Sequence, residues 1–187
     1  EAVGMPALFD AVRAAGAKNV IVLGGLDWSY DMSGFLKGYT IADPTGGVFS
    51  LWRGSQGDSP EVETTPPGGF IWNELATKDE KMALAFYEKV FGFTHDEMPM
   101  PDGAYFVLKQ GEKGRAGLYK AVHASMPTSW TPYVCVADCD KTTEQAKSLG
   151  ANAIVPPSDI PHVGRLAMFV DPQGAMFAIL KPNPTMS

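Results

Sequence analysis

The chain has 187 residues, 15 Lys and Arg against 21 Asp and Glu for a formal charge of −6, and 45% hydrophobic with 19% charged residues. Such values exclude a fibre or a disordered chain, while 20 Gly and 15 Pro announce many turns. The acidic balance and the scattered basic residues exclude a nucleic-acid partner, and no run approaches the roughly 18 apolar residues of a membrane span. A small neutral or cationic ligand is easier to accommodate.

The chain opens on Glu1 rather than Met, as a processed chain or a fragment would, and shows no signal peptide. Cys135 and Cys139 are too few for a disulfide framework and read as small thiols of a reducing, cytoplasmic compartment. A metal pair would need further ligands nearby.

In chain order, a helix is expected from Pro6 through Leu8, Val12 and Ala15 to Gly16. Strand-like runs follow at Asn19–Leu23 and Val48–Trp52, then a Pro/Gly/Ser linker over residues 54–69. After a strand at Phe70–Leu75, Thr77 to Glu80 reads as a capping box, and Met82, Phe86 and Val90 recur at helical spacing until Gly92. Strands at Ala104–Leu108, Ala116–Tyr119 and Tyr133–Val136 come next. A second helix starts near Asp140, with Ala146 and Leu149 as its apolar side and Gly150 as its stop. Leu166–Val170 and Ala175–Leu180 are the last strands, and Pro156 to His162 reads as a loop.

The order predicts an α+β protein: two βαβββ modules forming a curled mixed sheet, preceded by an α-β-β half-module. The expected boundaries are 1–53 for the half-module, 54–68 for the linker and 69–183 for the main domain. A repeat crosses the linker. Leu149–Val155 followed by Val170-Asp171-Pro172-Gln173-Gly174-Ala175-Met176-Phe177 echoes Ala15–Ile21 followed by Ala42-Asp43-Pro44-Thr45-Gly46-Gly47-Val48-Phe49. In each D-P-x-G piece Asp caps a turn, Pro sets its second φ, and Gly takes the positive φ before the last strand.

Trp72-Asn73-Glu74-Leu75-Ala76-Thr77, then Ala85-Phe86-Tyr87-Glu88-Lys89-Val90-Phe91-Gly92-Phe93, then the closing D-P-x-G strand resemble the vicinal oxygen chelate superfamily over about residues 68–182. That superfamily contains glyoxalase I, bleomycin-resistance proteins and extradiol dioxygenases. The resemblance places metal ligands at Trp72, at Gly117 or Tyr119, at Thr131 and at Ala178. None is a good ligand for a divalent cation, so no metal and no cofactor are expected. Gly4 to Gly34, and above all Gly24-Gly25-Leu26-Asp27-Trp28-Ser29-Tyr30-Asp31, is similar to a stretch of barrel-fold cellulases, without the acid/base pair or nucleophile of those enzymes.

Strand alternation puts Trp72 and Glu74 on one face and Ile71, Asn73 and Leu75 on the other. An aromatic plane beside a carboxylate suits a sugar. The resulting expectation is a carbohydrate-active hydrolase on this fold, with Glu74 and Asp159 as the carboxyl pair. Asp27 and Asp31 are alternative partners for Glu74, and Trp72, Tyr133, Thr131, His162 and Trp28 are the substrate-binding side chains. A metal-free binding protein like the bleomycin-resistance proteins is the alternative, or a metalloenzyme of the glyoxalase or dioxygenase type with a non-standard site. A homodimer is expected, since a half-module leaves a sheet edge to cover.

Overall fold

The structure is a computed structural model and describes residues 20–21, 29–32, 36–54, 65–100, 103–123 and 126–183. The expected first helix and Trp28 lie outside these residues. Among the described residues fourteen elements follow one another: β1 (Val20–Ile21), β2 (Ser29–Met32), β3 (Leu36–Ala42), β4 (Val48–Gly54), β5 (Phe70–Thr77), α1 (Glu80–Phe91), β6 (Thr94–Met100), β7 (Gly103–Gln110), β8 (Lys113–Lys120), β9 (Ser129–Cys135), α2 (Cys139–Ser148), β10 (Asn152–Ile160), β11 (Gly164–Val170) and β12 (Met176–Pro182). From β5 onward the order is βαβββ twice, and the fold class is α+β. The chain divides into two compact units: unit 1 is Glu1–Pro60 with Leu75–Trp130, and unit 2 is Glu61–Glu74 with Thr131–Ser187.

In unit 1, β1, β4, β3 and β2 form a small antiparallel sheet in that order, and β6, β7 and β8 form an antiparallel meander. The helix α1 starts at Asp79, whose side chain accepts from the Met82 N–H at 2.9 Å, and stops at Gly92, whose N–H donates to Glu88 O at 2.9 Å. The cap is therefore Asp79 and not Thr77, which is fully buried at the end of β5. Met82 is exposed, and Ala83, Leu84 and Tyr87 make the buried side of the helix instead.

One apolar cluster joins Ile41, Phe49 and Leu51 to Leu75, Ala83, Leu84, Tyr87, Leu108 and Leu118. Among the described residues, strands β3 and β4 thus share a core with α1. The Phe49 ring lies between those of Phe86, Tyr87 and Phe91, with centroids 6.2, 5.7 and 5.9 Å away. A polar chain crosses this apolar ground. Trp130 Nε1 donates to the Tyr87 hydroxyl at 3.1 Å, and that hydroxyl donates to Asp43 Oδ2 at 2.8 Å. Asp43 Oδ1 accepts from the Thr45 N–H, the Thr45 hydroxyl and the Gly47 N–H, and the Thr77 hydroxyl donates to Thr45 Oγ1. Gly47 is needed for this approach, because a Cβ there would fall 2.5 Å from Asp43 Oδ2 and 2.9 Å from Leu75 Cδ1.

In unit 2, β10, β11 and β12 form an antiparallel meander, and β12 runs parallel to β9 in the register Ala178↔Tyr133. The start of β5 lies against the end of β9, where Gly68 N–H donates to Cys135 O and Cys135 N–H to Gly69 O, both at 2.8 Å. The helix α2 is capped by Asp138, which accepts from the Lys141 N–H at 3.0 Å. Leu149, expected on its apolar side, is 73% exposed.

The expected loop from Pro156 is strand: β10 runs through Pro156 and Pro157 with register shifts between Ala153 and Val155 and between Val155 and Ser158. Proline is tolerated there because β10 is a bulged edge strand that need not donate along the whole ladder. Among the described residues no helix is long and apolar enough to cross a membrane.

Candidate functional site

The first part of β5 and strands β9, β11 and β12 place the side chains of interest in unit 2. Along β9 burial alternates, so Thr131, Tyr133 and Cys135 point inward, as period-two geometry requires. Tyr133 is buried and belongs to a cluster with Met168, Ala178 and Leu180, against which Ile71, Trp72, Val155, Leu166 and Met176 also pack. The Tyr133 hydroxyl donates to Glu74 Oε1 at 3.0 Å and also lies 4.0 Å from Met168 Sδ. Trp72, Glu74 and Tyr133 are brought together on an apolar floor. Strict alternation fails along β5 itself, since Ile71 to Glu74 are all half-buried and Leu75 to Thr77 all buried.

Asp159 goes elsewhere. It sits opposite Arg165 next to the turn that joins β10 to β11, where Arg165 Nη1 donates to Asp159 Oδ2 at 2.9 Å. The same guanidinium grips Asp140 with two further bonds of 2.9 Å, a fork geometry that draws the Asp140 carboxyl below the usual carboxylate range. The guanidinium is in turn pushed above its ordinary value, first by its bond to Asp140 and then by that to Asp159. His162 is exposed with φ 63° in the turn that Val163 N–H closes onto Ile160 O. Thr131 is buried two residues before Tyr133.

At three positions where the resemblance puts metal ligands, unit 2 carries Trp72, Thr131 and Ala178. An indole, a buried hydroxyl and a methyl do not make a donor set for a divalent cation. Among the described residues no group of three His, Cys, Asp or Glu side chains is arranged to hold a metal. Met168, the sulfur facing the Tyr133 hydroxyl, escaped the sequence reading, and β11 offered no alternation to find it by, since Ala167, Met168 and Phe169 are all buried. So did the Asp43–Tyr87–Trp130 chain, whose signal was a tyrosine on the apolar side of α1.

Residues 69–179 match the family model of the Glyoxalase/Bleomycin resistance protein/Dioxygenase superfamily. The chain belongs to that superfamily. The protein CFP32 of Mycobacterium tuberculosis (strain CDC 1551 / Oshkosh), named as a glyoxylase, is 43% identical over 147 residues, which cover 77% of this chain and 55% of that protein. The anthracycline biosynthesis protein DauV of Streptomyces sp. (strain C5) is 29% identical over 188 residues, covering 95% of this chain and 67% of that protein. The chain thus spans about half the length of the mycobacterial relative. Among solved structures, methylmalonyl-CoA epimerase of Streptomyces coelicolor in complex with 2-nitronate-propionyl-CoA is similar in fold, with a TM-score of 0.50 at 12% identity over 65% of this chain and 99% of that one.

These findings correct two expectations. The glycoside hydrolase reading, with its sugar ligand, is overturned: the chain belongs to the glyoxalase superfamily, the mycobacterial relative is named as a glyoxylase, and none of the proteins named here is a glycosidase. The cellulase-like reading of the N-terminal segment finds no support either. Because 95% of the chain aligns with the anthracycline biosynthesis protein DauV, that alignment runs through most of the first 53 residues. A short aromatic and acidic stretch such as Gly24 to Asp31 is too brief to carry a family assignment against a match of that length.

Proposed function

We propose that this chain binds a small organic molecule on the Trp72–Glu74–Tyr133 face of unit 2. The single observation behind this reading is the Tyr133–Glu74 hydrogen bond set among Trp72, Met168, Leu180 and Met176. A carboxylate on apolar ground is costly unless it is hydrogen-bonded. The Tyr133 hydroxyl supplies one such bond, and the paired hydroxyl and carboxylate present a polar edge for a ligand hydroxyl beside the apolar side chains. An aromatic body packs on the indole and the methionine side chains, which adapt to irregular shapes. The ligand class supported is a flat hydroxylated aromatic, in keeping with the relative named for anthracycline biosynthesis. The homodimer expected from the sequence is part of the same reading, and light scattering at micromolar concentration checks it, a monomer counting against it.

Calorimetric titration with a panel of hydroxylated planar aromatics tests the site. Glu74→Gln and Tyr133→Phe should each weaken binding about tenfold or more, with a loss of stability of about 1–2 kcal/mol that leaves both variants folded at the titration temperature. Binding that is unchanged in both variants would remove the proposal.

A further inference from the structure

Unit 2 holds one short turn more firmly than a surface loop requires. Between β10 and β11 only Pro161, His162 and Val163 intervene, and Ile160 pairs with Gly164 across them. Pro161 fixes its own φ, and His162 stands at φ 63°, where glycine is the ordinary occupant. The Val163 N–H donates to Ile160 O at 3.1 Å, and Val163 O accepts from the Asn183 N–H at 3.0 Å. Gly164 lies so near β12 that a Cβ there would fall 2.2 Å from Lys181 O. Arg165 adds three bonds of 2.9 Å, one to Asp159 on its own hairpin and two to Asp140 in the first turn of α2. The helix is itself anchored through Cys139 and Ala146, so the fork ties the turn to a fixed element. Exposed ion pairs add little stability, and a fork of this geometry is better accounted for by position.

The turn delivers one side chain. Ile160, Pro161 and His162 are exposed, whereas Val163, like Trp72, packs against the cluster of Tyr133, Met168 and Leu180. Successive side chains of β11 go to opposite faces: Met168 joins this cluster, while Ala167 and Phe169 join that of α2, on whose side Arg165 bonds Asp140. By that parity Val163 belongs with Arg165, Ala167 and Phe169. Gly164, at φ 146°, breaks the alternation and lets Val163 reach the other face. We propose that Val163 is the end wall that sets how long a ligand on the Trp72–Glu74–Tyr133 face can be, and that Arg165 is the positioning residue that holds the wall, an inference resting on that face being the ligand site. Met168 is opposite Ala178, which pairs with Tyr133, and Gly164 lies four positions back along β11, roughly 13 Å at about 3.3 Å per residue. A ligand hydroxyl held at Glu74 and Tyr133 therefore leaves an apolar body room to run toward Val163. The ligand class so defined is a hydroxylated aromatic extended by an apolar segment.

The probes are naphthol and naphthols carrying a linear alkyl tail of increasing length, titrated calorimetrically into the intact protein. Kd should fall roughly fourfold per methylene until the tail meets Val163, and then stop falling. Val163→Ala should move that break to a longer tail and Val163→Phe to a shorter one. Arg165→Gln should abolish the break, and Arg165→Lys, which keeps the charge without the fork, should not restore it. Both Arg165 variants should also speed amide exchange about tenfold at Val163 and Asn183 while the amides between β9 and β12 exchange as in the parent, a local loosening that a general loss of stability would not produce. Steady improvement with no break, or a break at the same tail length in both Val163 variants, would overturn the end wall and leave the ligand face standing. A break kept in Arg165→Gln or restored by Arg165→Lys would overturn the positioning role of the fork. If the parent binds none of the probes, naphthol included, the ligand face itself falls, and the end wall with it.

Discussion

Asp43 and Asp171 begin turns of the same tetrapeptide pattern with the same backbone bonds, yet one carboxylate is buried in a chain of five polar side chains and the other keeps only its own turn. Local chemistry is satisfied equally in both, since each Oδ1 accepts the N–H groups that the turn exposes. What differs is the neighbour. At Asp43 the tyrosine of α1 and the glycine at position 47 let a helix and a strand close over the turn, and the carboxylate then becomes part of a core. A motif therefore specifies a turn, while its energetic weight depends on what packs upon it.

Three substitutions would break or sharpen this contrast, beginning with the largest effect. Asp43→Ala removes the acceptor for Tyr87, Thr45 and Gly47 inside a buried cluster and should cost about 3–4 kcal/mol in urea denaturation, against about 1 kcal/mol for Asp171→Ala. Equal losses would show that burial adds nothing to the turn. Next comes Gly47→Ala, whose added methyl must push aside Asp43 and Leu75; a loss of about 2 kcal/mol is expected, whereas Ala175→Gly should change stability by about 1 kcal/mol or less. A tolerated Gly47→Ala would mean that the turn is not closely covered.

Tyr87→Phe has the smallest effect at neutral pH, about 1–2 kcal/mol, because the Asp43 oxygen and the Trp130 N–H lose a partner that sits between them. Its stronger signature is in alkali. Burial first, and then the Asp43 charge and hydrogen bond, push the Tyr87 hydroxyl well above its ordinary value of 10.0. The folded chain therefore keeps a proton that the unfolded chain gives up, and stability contributed by this group is full below about pH 10 and falls as pH rises toward the folded-state value. Comparing the urea midpoint of parent and variant from pH 8 to beyond pH 10 isolates this contribution from that of Cys139, whose thiol burial also pushes up. An alkaline decline of the same slope in Tyr87→Phe would detach it from this tyrosine.

Residues whose partners lie within four positions were legible in the chain itself. The stop at Gly92 and the two D-P-x-G turns rest on bonds of that range, and the βαβββ order and the family resemblance were read from caps, turns and strand patterns segment by segment. Even there the cap moved from Thr77 to Asp79, because a buried Thr77 bonds to Thr45 and is taken out of the helix. The pairing of Trp72 with Glu74 on one strand was likewise legible, while the glycosidase chemistry built upon it was not, since two carboxylates in a sequence carry no distance. Asp159 shows why: its bond is to Arg165 across the hairpin and Arg165 also holds Asp140, a meeting of strand and helix that spacing does not encode.

By itself the sequence determined the α+β order of elements, the turns and the superfamily, because capping, alternation and positive φ are properties of short segments. Tertiary structure alone decided that Tyr133 reaches Glu74 across 59 positions and Tyr87 reaches Asp43 across 44, that Leu149 is left exposed, and that Pro156 and Pro157 lie in a strand. Burial is a sum over neighbours brought from far along the chain, and it is burial that turns a hydroxyl and a carboxylate into a site.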